Sequence, residues 1–361
     1  VKLLKRKDVS GVINACDAGR EGELIFRYIM QHSGARKPIQ RLWLQSMTQG
    51  AIRDGFKALR EDPEMRPLAD AAVCRSESDW LVGINGTRAM TAFNSKEGGF
   101  YKTTVGRVQT PTLAILVERE ERIKSFVSRD YWEVHAAFSA KAGEYPGRWF
   151  DPKFKKDEDG ERRAERLWQA GAAEAIVAAC TGKPGKVTEE TKPTTQLSPL
   201  LFDLTSLQRE ANGKFGFSAR TTLSLAQALY ERHKALTYPR TDARALPEDY
   251  LETVEQTLGE FQGTAYAPFA GQILKSKWVK PNRRIFDNSK ISDHFAIIPT
   301  SQLPKQLNEA EAKIYDLVVR RFLAVFYPAA EYLQTTRITA VEGHSFKTEG
   351  KVLANPGWLA V

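Results

Sequence analysis

The chain has 361 residues, more than one domain of about 100 to 200 residues, so we expect two to four domains. Lysine and arginine number 53 against 44 aspartate and glutamate residues, and the resulting net charge of +9 favours an anionic partner without identifying it. No apolar stretch approaches about 18 residues, so neither a membrane partner nor a signal peptide is predicted. The three cysteines form no Cys-x-x-Cys pair, which argues against a zinc ribbon or a disulfide framework and fits a cytoplasmic protein.

The first elements in the chain predict an α/β arrangement. Residues 11–16 are an apolar run that ends at Asp17 and Gly19, and a helical spacing of apolar residues comes next, so strand, loop and helix are predicted. A second strand is predicted at 39–44. Residues 48–123 carry helical periodicity, clearest at 71–93 and 111–123.

The pattern changes after residue 130. An aromatic and β-branched run at 131–138 predicts a strand, and a charged loop at 151–163 precedes a helix ending near Cys180. Residues 203–325 return to helix, with Pro193, Pro199 and Pro328 interpreted as breakers. Strands are predicted again at 332–341, 344–348 and 358–361. Because the chain starts with Val and halts inside a predicted strand, we interpret it as a fragment.

The loop Asp17-Ala-Gly-Arg-Glu-Gly-Glu23 places three carboxylates beside two glycines at the carboxyl end of a strand, where α/β sheets bind ligands. Hard oxygen ligands suit Mg²⁺, which takes one or two protein carboxylates and keeps several waters. The alternative is a solvated helix start, in which Glu21 and Glu23 face the helix dipole.

Tyr238 lies in Leu-Thr-Tyr-Pro-Arg-Thr-Asp, residues 236–242. Pro239 biases the tyrosine toward an extended backbone, and Arg240 can both bind a phosphate and lower the pKa of the phenol by proximity. This pattern indicates a tyrosine nucleophile acting on phosphate. The alternative is a loop tyrosine packed against Pro239.

Three further segments offer phosphate contacts. His294 stands beside Asp293 before an apolar run, so Asp293 or a carbonyl can fix its tautomer; the alternative is a structural histidine at a strand end. Thr103 to Pro111 forms a hydroxyl-rich turn before a helix, a pattern of phosphate sites and equally of ordinary capped helices. The third segment is a helical stretch that contains Arg75, Trp80 and Arg88, and there we expect a buried aromatic with solvated charges.

Taken together, these blocks resemble the type IA DNA topoisomerases, and within them the bacterial topoisomerase III group. The acidic loop is similar to the second acidic motif of the Toprim domain, and residues 41–48 and 78–85 resemble the family segments that come after that motif. Residues 105–111 resemble the strand-binding motif, residues 236–242 the catalytic tyrosine segment and residues 293–300 the histidine block. Gly19 departs from many relatives, which carry a second aspartate there.

The resemblance implies a multidomain α/β and α fold that forms part of a toroid. Its predicted parts are the C-terminal half of a Toprim domain at 1–46, a helical strand-binding domain at 47–129, an interrupted β-rich gate domain at 130–200 and 328–361, and a helical tyrosine domain at 201–327. A catalytic glutamate and lysine of the family would lie upstream of Val1, so the fragment alone is expected to be inactive.

The resemblance also assigns roles. Tyr238 would attack a phosphodiester of single-stranded DNA to give a 5′-phosphotyrosine, with Arg240 and His294 as the other catalytic residues. DNA contacts are expected from Arg20, Arg75, Arg88, Arg107 and Gln109, and Mg²⁺ ligation from Asp17, Glu21 and Glu23. No ATP is needed, and no Walker-type loop occurs. A RecQ-type helicase and a single-strand-binding protein are the expected partners of a monomer.

Two other functions stay open from the sequence. A Toprim nuclease or primase-like protein would share the acidic loop but would not use a tyrosine. A noncatalytic module would hold single-stranded DNA in basic grooves and on aromatic rings such as Trp43, Trp80 or Phe215.

Overall fold

The computed structural model describes residues 1–156 and 159–361. The chain forms two compact units, one from residues 1–120, 199–327 and 361, the other from residues 121–198 and 328–360. Helices and sheets both occur, so the predicted mixed α/β composition is confirmed, while the finer division into four domains stays a prediction. In chain order the elements are β1 (Val12–Asn14), α1 (Arg20–Ser33), β2 (Ile39–Arg41), α2 (Gln49–Lys57), β3 (Arg60–Glu61), α3 (Asp62–Asn94), α4 (Gln109–Lys124), β4 (His135–Ala140), β5 (Gly143–Phe150), α5 (Ala170–Cys180), β6 (Lys186–Gln196), α6 (Leu204–Phe215), α7 (Ala219–Glu231), α8 (Leu251–Glu260), α9 (Ala267–Lys275), α10 (Glu309–Phe326), β7 (Ala330–Val341) and β8 (His344–Asn355).

The first unit opens with a three-stranded sheet of order β1-β2-β3, in which β1 and β2 are parallel and β3 is antiparallel to β2. Helix α1 joins the two parallel strands, buries Phe26 and Met30, and packs against α3. It ends at Gly34, whose φ of 64° favours a residue without Cβ. The predicted strand, loop, helix and strand are confirmed, with β2 shorter than the predicted 39–44.

The predicted helices at 71–93 and 111–123 are confirmed as parts of α3 and α4. The expectation of a buried aromatic was wrong, because Trp80 is 63 % exposed. Helical periodicity in this stretch gave the secondary structure correctly but did not give the buried face.

The main hydrophobic core lies among α6 to α10. Helix α10 supplies its centre with Ile314, Val318 and Phe322, all fully buried. Asn308 caps this helix by accepting a hydrogen bond from Glu311 N, and Glu311 Oε2 accepts one in return from Asn308 N. The tyrosine segment lies on this core, so its backbone is carried by a rigid support.

The second unit is a five-stranded antiparallel sheet of order β4-β5-β8-β7-β6. A small core that includes Val134, Ile176 and Phe346 lies between this sheet and α5. Although Pro193 was interpreted as a breaker, it lies inside β6. Because β6 is an edge strand paired only with β7, a missing N–H is tolerated there.

Two other strand predictions differ from the structure. The strand predicted from residue 131 begins at His135, and residues Gly357–Ala360 form a short 3₁₀ helix instead of a strand. The charged loop predicted at 151–163 includes residues 157 and 158, which lie outside the described residues, and the rest of it is turn and coil. Within residues 1–156 and 159–361, none of the helices has the length and apolar content required to traverse a membrane.

Candidate active site

Tyr238 stands on a short extended segment that runs antiparallel to the histidine block. Thr237 N donates to Ile298 O at 3.0 Å, and Ile298 N donates to Thr237 Oγ1 at 2.9 Å. Leu236 and Pro239, the latter next to Tyr238 in the chain, are buried. These anchors fix the backbone on both sides of Tyr238 and leave its own ring half-buried, as expected for a presented side chain.

His294 is the nearest functional neighbour of this tyrosine. The centroids of the two rings lie 4.4 Å apart at an interplanar angle of 48°. Tyr230 meets the ring of Tyr238 edge-on at 5.3 Å. The backbone carbonyl of His294 accepts a hydrogen bond from Thr241 Oγ1 at 2.8 Å, so the histidine is tied to the catalytic segment itself.

The acidic loop is held from beneath by Arg41, which is 1 % exposed. Its guanidinium donates to the carbonyl oxygens of Asn14, Cys16 and Asp17 at 3.0, 2.7 and 2.5 Å. A Cβ on Gly22 would lie 2.2 Å from Asp17 O, so only glycine lets the loop fold this tightly over the start of α1. The carboxylate of Asp17 is left exposed above this support.

The loop and the tyrosine segment meet in one cleft. His294 Nε2 lies 3.6 Å from Asp17 Oδ2, a close approach of an ion pair when the imidazole is protonated. From the sequence, we expected Asp293 or a carbonyl to be the histidine's partner. A cavity of about 350 Å³ is lined on one side by Asp17, Leu44, Gln45 and Met47, and on the other by Tyr230, Lys234, Leu236, Thr237, Tyr238, Tyr250, Asp293, His294, Phe295 and Thr300.

Burial and neighbouring charges shift the pKa values of two acidic groups around this cavity. Burial raises the pKa of Asp293, with Asp17 and Asp242 adding to the shift and His294 and Arg20 opposing it. Burial also raises the pKa of Tyr250 to about 12, so this phenol stays neutral at physiological pH. The cleft therefore combines an apolar wall with side chains of both charges, Asp17 and Asp293 beside His294 and Lys234.

The other predicted site residues lie at different places. Arg240 is exposed and its Nη2 donates to Gln227 Oε1 at 3.4 Å, beside the tyrosine segment. Arg20 is exposed at the start of α1, near enough to Asp293 to affect its pKa. Arg75 pairs with Glu21 at 3.2 Å.

Arg107 and Gln109 lie at the start of α4, away from the contacts around Tyr238. Arg107 pairs with Asp79 of α3 at 2.8 Å, and Gln109 accepts from Thr104 Oγ1 at 3.1 Å. Arg88 is exposed on α3. The structure thus brings Asp17, His294 and Tyr238 together, with Arg20 and Arg240 at the margin.

Asp17 and Glu21 are the carboxylates that fit a Mg²⁺ ion. Both are exposed, at 62 % and 67 %, and both offer the hard oxygens that this ion prefers. Glu23 is 1 % exposed, and its two oxygens accept from Arg27 and Asn14. We therefore do not carry the predicted metal role of Glu23 forward. Across the described ranges, no group of three or more His, Cys, Asp or Glu side chains is arranged to hold a metal ion.

Sequence reasoning missed the roles of Arg41 and Asp293. Arg41 was noted only as the first residue of a block resembling the family, although an arginine ending a short strand can reach the end of the neighbouring strand. Asp293 was assigned to its neighbour His294, whereas its carboxylate lies against Gly19. Long-range packing of this kind leaves no local signal.

A family model described as DNA topoisomerase matches residues 63–361, most of the chain, and the chain therefore belongs to this DNA topoisomerase family. Among curated relatives, it is 41 % identical to DNA topoisomerase 3 of Bacillus subtilis and 42 % identical to DNA topoisomerase 3 of Bacillus licheniformis, in both cases over 99 % of the chain. The chain spans about half, 47 %, of the length of each.

The fold is also similar to a solved structure, that of full-length topoisomerase I from Thermotoga maritima. The two superpose with a TM-score of 0.63 at 23 % sequence identity. The match covers 96 % of this chain and 54 % of the other. At this identity the likeness concerns the fold.

Proposed function

We propose that the chain carries the tyrosine and part of the metal site of a type IA DNA topoisomerase of the topoisomerase III kind. The whole protein would break single DNA strands, pass another strand through the break and rejoin them without ATP. The observation that carries the proposal is the convergence of Tyr238, His294 and Asp17, which come from distant parts of the chain, in one cleft.

In the cleavage step, the phenolate oxygen of Tyr238 attacks the scissile phosphorus and the bond from phosphorus to the 3′ oxygen breaks. The 3′ oxygen leaves as a hydroxyl after taking up a proton, and the downstream strand stays attached to the tyrosine through its 5′ phosphate. Rejoining is the reverse attack by that hydroxyl. The ester retains the energy of the broken bond, so nucleotide hydrolysis is not needed.

The neighbouring cations would stabilise charge on the phosphate. Arg240, two residues from the nucleophile, has a planar guanidinium suited to a phosphate in the transition state. A protonated His294 can donate from Nε2, which lies 3.6 Å from Asp17 Oδ2, to a phosphate oxygen bound in this cleft. Mg²⁺ held by Asp17 and Glu21 would supply positive charge that orders the DNA backbone for rejoining.

Binding of the strand would draw on the other cationic side chains. Arg107 and Gln109 at the start of α4, with Arg20, Arg75 and Arg88, are the proposed contacts to the DNA backbone. A RecQ-type helicase and a single-strand-binding protein are proposed as partners from the resemblance alone, and the monomeric state is proposed on the same ground.

Covalent trapping tests this function. The full-length protein is incubated with a single-stranded oligonucleotide labelled at its 3′ end and then denatured. The parent should carry label on the protein, and Tyr238→Phe should carry none. Tyr332→Phe, a matched change on β7 in the other unit, should behave as the parent. Label retained by Tyr238→Phe would remove this tyrosine from the reaction, and cleavage without covalent label would point to a Toprim nuclease. Binding without cleavage by the parent would leave a noncatalytic DNA-binding module.

A further inference from the structure

Gly19 of the acidic loop is buried against the histidine block. A Cβ placed on it would lie 2.3 Å from Asp293 Oδ1 and 2.5 Å from Asp293 Cγ and Oδ2. Real Cβ atoms do not approach other heavy atoms this closely, so the carboxylate of Asp293 occupies the space that any larger residue at position 19 would need.

The backbone of Gly19 gives no other reason for a glycine. Its φ of −164° and ψ of −179° are extended values that every amino acid adopts. Its role as the residue before α1 would also be served well by serine or aspartate. Space for Asp293 is the remaining requirement.

The surrounding contact between these two parts of the first unit is made mostly by polar side chains. Gln45 Nε2 donates to the carbonyl oxygens of Ile291 and Ser292 at 3.1 and 3.2 Å. Ser46 Oγ and Thr48 Oγ1 both donate to Asp249 Oδ2, at 2.9 and 2.6 Å. Most of these groups lie at the surface, so water can replace each bond and the contact can be released.

We propose that Asp293 is a positioning residue that fits against Gly19 and thereby sets how closely His294 and Tyr238 approach Asp17. This inference rests on the proposed function. Asp293 immediately precedes His294 in the chain, so moving its carboxylate outward moves the histidine with it. The charges around this carboxylate act in both directions, since Asp17 and Asp242 repel it while His294 and Arg20 attract it.

The first experiment is a double-mutant cycle on covalent trapping in the full-length protein. Gly19→Ala should lower the yield of covalent complex about tenfold, as expected for one methyl group forced into a packed contact. Gly50→Ala is the control, since no heavy atom lies within 4 Å of the Cβ it would add. In an Asp293→Ala background, whose own yield sets the baseline, Gly19→Ala should cost less than twofold.

The second experiment measures the contact between these two parts of the first unit independently of DNA cleavage. In a background lacking other cysteines, Ser46→Cys and Asp249→Cys are joined by a short thiol crosslinker, and the rate is measured without DNA. Gly19→Ala should slow crosslinking, and adding Asp293→Ala should restore it. A rate unaffected by Gly19→Ala, or an equal loss with and without Asp293→Ala, would overturn the proposal. If crosslinking follows the expected pattern while no variant, including the parent, forms covalent complex, the contact stands and the proposed function falls.

Discussion

Replacing Arg41 by lysine should loosen the acidic loop while keeping the charge of the chain. Arg41 is fully buried and reaches four oxygen acceptors, of which three are the backbone carbonyls of Asn14, Cys16 and Asp17 and the fourth is Asn14 Oδ1 at 3.1 Å. Its Nε also lies 3.5 Å from Glu23 Oε2. Burial lowers the pKa of this guanidinium, and Glu23 opposes that shift.

The size of the effect is set by geometry. A lysine ammonium carries three donors on one nitrogen and cannot span the fork that a guanidinium fills, so at least two of the four hydrogen bonds should be lost. Buried hydrogen bonds contribute about 1 kcal/mol each, and those to charged groups about 1.5–3 kcal/mol. Two lost hydrogen bonds to this charged group correspond to about 3–6 kcal/mol, or a roughly 160- to 25,000-fold increase in the equilibrium constant for local opening.

Hydrogen exchange measured by mass spectrometry reports that equilibrium for peptides covering residues 12–24. Exchange there should accelerate by the stated factor in Arg41→Lys, while peptides from α10 should be unchanged. Arg53→Lys, at an exposed position of α2, is the control and should leave both regions as in the parent. Unchanged exchange at residues 12–24 in Arg41→Lys would refute the role given to Arg41.

Three further changes have defined outcomes. Glu311→Ala should destabilise the first unit by about 1–3 kcal/mol in urea unfolding, because the 3 % exposed Glu311 loses the hydrogen bond from Asn308 N and its pair with Arg232, whose own side chain is 65 % exposed. Glu309→Ala, 85 % exposed on the same helix, should cost under about 0.5 kcal/mol, and similar costs would contradict this. Hydrogen bonds from Ser289 and then Lys290 lower the pKa of Asp287 from 3.8 to about 2. The parent should therefore melt at a higher temperature than Asp287→Asn, with the full difference above about pH 4 and a shrinking difference as the pH falls toward 2. A difference that stays constant over this range would argue against the role of Asp287. Arg240→Ala should slow cleavage of a single-stranded oligonucleotide by about 10²- to 10³-fold with Arg53→Ala near the parent rate, and an effect under twofold would remove Arg240 from the transition state.

Local patterns predicted most of the secondary structure. The apolar run before Asp17 and the helical spacing after it are read from neighbouring residues, and β1 and α1 confirm them. Pro193 was wrongly interpreted as a breaker because a proline is tolerated in an edge strand but not in a central one. The position of a strand is a property of the whole sheet and is not visible in the local sequence. The exposure of Trp80 likewise depends on what packs beside α3, and periodicity does not record it.

The candidate site likewise has features that the local sequence indicates and features that depend on long-range packing. The segments around Asp17, Tyr238 and His294 were singled out from residue types with a structural alternative open for each, and their joint role came from the resemblance to the family. The burial of Glu23 against Arg41 of β2 and the fit of Asp293 against Gly19 each join residues distant in the sequence. The sequence does not show which of Glu21 and Glu23 is buried, because both follow β1 and they differ only in the side of α1 that they face.

The most direct test is to identify the amino acid that carries the DNA. The full-length protein is trapped on a single-stranded oligonucleotide, digested with protease and nuclease, and analysed by tandem mass spectrometry. The nucleotide should be found on the peptide containing residues 236–242, linked through its 5′ phosphate to the oxygen of Tyr238. A nucleotide on any other residue, or a link through a 3′ phosphate, would contradict the proposed chemistry.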